Sequence, residues 1–185
     1  MKRLPAKYDA VTNYTVLNKW DLYSNGFKKA GFYLIDKLIQ DFDNEANKVE
    51  WDELIYPICF NFRQYIELRL KNIVIEKYGE SEGLKICTLC SHHLDKLWGV
   101  VKPIFSERYK ESLKTETTEH LERLILGFSK ADNNSEAFRY PVNIKGAVSL
   151  SAGLINCKDL RQEMEYITNC LDSLYWTFYG TDFNT

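Results

Sequence analysis

The stretch FNFRQYIELRLKNIVIEKYG, residues 60–79, decides the fold. Phe62, Ile66, Leu70 and Ile73 recur at helical spacing, and Ile58 extends the stripe backwards by one turn. Tyr65, Leu68 and Ile75 widen the apolar arc beyond what a surface helix needs, so the spacing predicts a helix central to a bundle. It runs from about Trp51 to Tyr78, with Pro57 near its start or at a kink and Gly79 as C-cap. Yet the same helix carries Arg63, Glu67, Arg69 and Lys71. A core helix holds charge only where that charge is paired or covered.

Outward from this helix, the chain reads as further helices. Residues 22–41 place Phe27, Ala30, Leu34, Leu38 and Ile39 at helical intervals, against the weakening effect of Gly26 and Gly31. DNEANKVEWDE is a polar connector, and the piece after Gly79 is short and irregular. Ser91 is placed to cap a helix reaching Phe105, with Leu94, Leu97, Trp98 and Val101 inward and Pro103 as a bend. TTEHLERLILGFSKAD supplies the next helix, burying Leu121, Leu124, Ile125 and Phe128. A segment rich in Asn, Ser, Gly and Pro follows, in which NIKGAVSLS has the makings of a small hairpin. The last helix, residues 158–179, buries Leu160, Met164, Ile167, Leu171 and Leu174. The expected fold is all-α: an up-and-down bundle of about five helices with one irregular excursion before the last. The whole chain, 1–185, reads as one domain, with residues 1–20 irregular and held by Tyr8 and Tyr14.

Composition narrows the function classes. A net charge of -2 and a pI near 6.0 argue against nucleic-acid binding driven by overall charge, while leaving room for a local basic patch. No run of apolar residues is long enough for a membrane span, and the first residues lack the apolar region of a secretory signal. Five cysteines, an odd number, fit reduced thiols and a cytoplasmic location. The aromatic content, with 12 Tyr and 10 Phe, suits a core, an interface or base stacking equally.

Three short segments, taken in order, resemble HEPN domains. FNFRQYIELRLK is similar to the central helix of that family, with Phe62, Tyr65, Glu67, Leu70 and Lys71 on the pattern and Gln64 beside its glutamine. SHHLDKLW is similar to the next family segment through His93, Leu94 and Leu97, and AFRYPVN to an Arg-Tyr-Pro element before the last helix. The resemblance spans residues 51–178. It implies a bundle that pairs as a homodimer, in a toxin–antitoxin or antiphage setting. Some members are metal-independent ribonucleases. Others are silent modules that bind nucleotides or partner proteins such as nucleotidyltransferases. Active members carry an Arg with a His a few residues downstream. Here Arg139, Arg108 and Arg123 have no such His, and no His follows His120.

The candidate residues each have two readings. Arg63, Glu67 and Lys71 share one lane at i, i+4 and i+8. The lane is either a solvated or interfacial run of ion pairs, or a groove lining in which Arg63 and Lys71 meet RNA phosphate while Glu67 orients the Arg. His93 is either a packed helix-start residue or a general base, in which case Arg139 would stabilise the phosphorane without metal or other cofactor. Arg139, on a turn stiffened by Pro141, either grips phosphate or carboxylate with its planar fork or caps a neighbouring helix. Cys87 and Cys90 have C-x-x-C spacing beside His92 and His93, but no second pair completes a zinc site, and they read as apolar filler. The expected function is a dimerising nucleotide- or partner-binding module. The alternative is a divergent endoribonuclease built on His93 and Arg139.

Overall fold

The computed structural model describes residues 19–43, 48–109, 115–150 and 153–180. Six helices follow one another: α1 (Lys19–Asp43), α2 (Lys48–Tyr78), α3 (Glu80–Cys90), α4 (Leu94–Arg108), α5 (Thr115–Ala131) and α6 (Cys157–Thr177). The protein is all-α, with no strand among the described residues. No helix among them is long and apolar enough to cross a membrane.

The helix of residues 48–78 is the hub, packing against α1, α3, α4 and α6, while α5 closes the bundle against α4 and α6. Its stripe of Ile58, Phe62, Ile66, Leu70 and Ile73 is fully buried, as is Tyr65. Each neighbour contributes its own stripe: Ile35 and Leu38 from α1, Leu94, Leu97, Trp98 and Val101 from α4, Leu121 and Ile125 from α5, and Leu160 to Leu174 from α6. Pro57 and Pro103 both lie inside continuous helices. Gly31 is a contact, not a weakness: a Cβ there would sit 2.6 Å from the Phe62 ring, so the glycine lets α1 approach α2 closely.

Four expectations need correction. The piece after Gly79 is not irregular but a helix, α3, one of six among the described residues. Gly79, at φ 82, closes α2 through its N–H to Ile75 O and opens α3 through its carbonyl. The buried face of α3 consists of Gly83, Cys87 and Cys90, while Leu89 is 80% exposed, so hydrophobic periodicity points the wrong way. Ser91 ends α3 at φ 53, its N–H bonded to Cys87 and Thr88 carbonyls, and extended His93 takes the N-cap position of α4 instead. The polar connector is shorter than expected, since α2 begins at Lys48 and α1 reaches Asp43. The proposed hairpin amounts to one antiparallel bridge, Val142 with Val148, around a turn at Gly146. Tyr8 and Tyr14, and the expected irregular segment up to residue 18, lie outside the described residues.

Candidate functional site

The charged lane of α2 turns inward. Arg63 is fully buried. Its Nε donates to the Asp132 carbonyl at 2.9 Å, Nη1 to Glu67 at 2.7 Å and Nη2 to the His92 carbonyl at 2.6 Å. The Asp132 carboxylate lies 3.4 Å from the same Nε. Glu67 in turn accepts from Lys71 Nζ at 2.7 Å and sits 2.9 Å from His92 Nδ1. One lane of one helix thereby fixes the turn between α3 and α4 and the exit of α5. Each of the three guanidinium nitrogens donates within the protein and the side chain is fully buried, so a phosphate contact by Arg63 would require this network to open. A second buried arginine, Arg69, ties α1 and α6 to the hub: Nη1 reaches Asp21 at 2.7 Å and Nε lies 2.8 Å from Asp172.

Burial pushes the Glu67 carboxyl up, but the hydrogen bonds from Lys71 and Arg63 outweigh it and hold the group below its ordinary 4.5. The folded protein therefore binds this proton less readily than the unfolded chain. Its contribution is fully present above pH 4.5 and is lost as the pH falls through the lowered value. In urea titrations from neutral pH down to about pH 3, Glu67→Gln should start less stable, by about 1–3 kcal/mol, and fall less steeply below the ordinary carboxylate range. Parallel curves for the two proteins would mean that Glu67 titrates alike folded and unfolded.

The anchored α5 exit carries the most accessible cation of the site. Asp132 Oδ1 accepts the backbone N–H groups of Glu136 and Ala137 at 2.7 and 2.9 Å, folding the chain back on itself. Gln64 Nε2 donates to Ser135 Oγ at 2.6 Å, pinning the loop to α2 from the other side. Arg139 Nε donates to the Ser135 carbonyl at 2.6 Å. Its guanidinium lies 5.8 Å from the Phe60 ring and 5.3 Å from the Tyr140 ring. Among the described residues neither terminal nitrogen of Arg139 has a partner. A groove of about 410 Å³ opens beside it, lined by Tyr56, Phe138, Arg139, Tyr140 and Ser149 among others. Tyr56 and Tyr140 are 50% and 54% exposed.

His93, at the N-cap of α4, meets the same loop at Asn133. Its Nδ1 lies 3.1 Å from Asn133 Oδ1, which also faces Ser129 Oγ at 3.5 Å. An amide oxygen only accepts, so His93 Nδ1 is the donor of this contact. His93 is held through Asn133 and Arg139 through the Ser135 carbonyl, with no hydrogen bond between the two among the described residues. The structure thus joins Arg63, Glu67, Lys71 and His92 in one network, while His93 and Arg139 each contact the loop that network supports. Cys87 is buried with its thiol 3.7 Å from the Lys71 carbonyl, and burial pushes it up to about 11. Among the described residues no group of three or more His, Cys, Asp or Glu is placed to hold a metal ion.

Sequence reasoning missed Tyr56, Phe60 and Gln64, which meet the loop as a second lane of α2 at i, i+4 and i+8. The signal was present in that spacing, but aromatic residues on an apolar helix read first as core. Comparison with known proteins finds no matching family model, no matching curated protein and no matching solved structure.

Proposed function

We propose that this chain is a HEPN-like module that binds a nucleotide phosphate at Arg139 and does not cut RNA. The observation that carries the reading is the state of that one side chain. Nε is tethered, the guanidinium is braced over Phe60 and Tyr140, and both terminal nitrogens are without a partner among the described residues, beside a groove. A braced planar fork loses little freedom on gripping phosphate, and it can do so bidentately. The silent reading gains from the absence of a His downstream of Arg139. The family resemblance supplies the rest of the proposal: a homodimer in the cytoplasm, acting in a toxin–antitoxin or antiphage system beside a partner such as a nucleotidyltransferase. One observation favours the alternative of a divergent metal-independent endoribonuclease. Asn133 engages His93 at Nδ1 and leaves Nε2 as the ring nitrogen that could face an RNA hydroxyl.

The test is a titration of a labelled oligoribonucleotide followed by fluorescence anisotropy. Arg139→Ala should weaken binding at least tenfold, about 1.4 kcal/mol, with an unchanged unfolding midpoint. Arg139→Lys should recover only part of the loss, because a point charge lacks the fork. Equal affinity for wild type and Arg139→Ala would refute the assignment.

A further inference from the structure

We infer that the groove beside Arg139 takes one unstacked nucleotide of a single strand, its base stacked on the Tyr56 and Tyr140 rings and its phosphate on Arg139. This rests on the nucleotide reading above and names the form of nucleic acid that the same site accepts. Size comes first. At about 410 Å³ the groove lies near the lower end of small-ligand pockets, the scale of a single nucleotide and far short of a duplex segment.

The wall chemistry fits the same occupant. Tyr56 and Tyr140 both line the groove, and each is about half exposed. Such rings accept any base face without reading its edge. Arg139 braces one of them at 5.3 Å, so the stacking surface and the phosphate donor are held in fixed relation. Exposed Lys145, at the turn enclosed by the Val142–Val148 bridge, offers a further positive charge along the same excursion. An A-form duplex buries its base faces in the stack and could present neither ring with a partner.

The experiment compares a single-stranded oligouridylate of about eight nucleotides, a duplex of equal length and uridine monophosphate, each against wild type, Tyr56→Ala, Tyr140→Ala and the corresponding Phe variants. Thermal unfolding of every variant controls for folding. The single strand should bind at least tenfold more tightly than the duplex or the free nucleotide. Each Tyr→Ala change should weaken it roughly tenfold, and each Tyr→Phe change should retain most of the affinity because the ring remains. Duplex or free nucleotide binding as well as the strand would overturn the inference. So would Tyr56→Ala and Tyr140→Ala variants that bind normally while Arg139→Ala does not, although the phosphate assignment would then survive. No binding of any of the three by wild type would overturn both.

Discussion

Arg63→Ala should cost about 3–5 kcal/mol of folding stability, read as the shift in urea midpoint at neutral pH. The size follows from what the substitution leaves behind. Glu67 would keep Lys71 and His92, but Asp132 and the His92 carbonyl would lose their buried donor outright. An uncompensated buried group is more expensive than the pair was favourable. Against a typical total of about 5–15 kcal/mol, that is a large fraction of the whole. Combining Arg63→Ala with Glu67→Gln should cost less than the sum of the two, since both belong to one network. Hydrogen exchange should also quicken at the Glu136 and Ala137 amides, whose acceptor Asp132 is held by Arg63. A loss below about 1 kcal/mol would mean that water reaches the guanidinium.

Asp172→Ala is expected to cost about 3 kcal/mol, at the lower end of the range because the carboxylate is partly exposed. Asp172 takes Tyr65 Oη at 2.7 Å and Lys28 Nζ at 2.6 Å, and lies 2.8 Å from Arg69 Nε. One residue of α6 therefore holds α1 and the hub together. Burial, and then the charge of Asp172, push the Tyr65 hydroxyl well above its ordinary value, so this group donates throughout the working pH range. Arg69 would retain Asp21 and Asn25, and the Tyr175 ring 4.4 Å away. Asp172→Asn keeps acceptor and shape, and should recover part of the stability. A midpoint unchanged in Asp172→Ala would place the weight of this cluster on Asp21 instead.

How far the sequence could be read depends on where each residue finds its partners. The stripe from Ile58 to Ile73 needs only local periodicity, so the hub helix and the bundle class are legible. The spacing of Arg63, Glu67 and Lys71 is equally plain, but its direction is not. The acceptors that draw Arg63 inward lie 69 residues away at Asp132 and 29 away at His92. Nothing local distinguishes that arrangement from a solvated lane. The same limit hid α3, whose close packing rests on Gly83: a Cβ there would stand 2.6 Å from the Ile75 backbone. Small residues make that contact, and they carry no hydrophobic signal. Arg139 could be singled out because Pro141 marks its turn, whereas Tyr56 and Phe60 become a site only once the excursion folds back across them.

The proposed function has RNA held at the Arg139 groove without being cut. Labelled single-stranded RNA, incubated with purified protein in the presence of a chelator, allows retention and integrity to be scored in the same sample. Wild type should retain the RNA and Arg139→Ala should release it, with the RNA full-length throughout. Shortened products that form under chelation and disappear in His93→Ala would contradict the binding-only function and make the protein a nuclease.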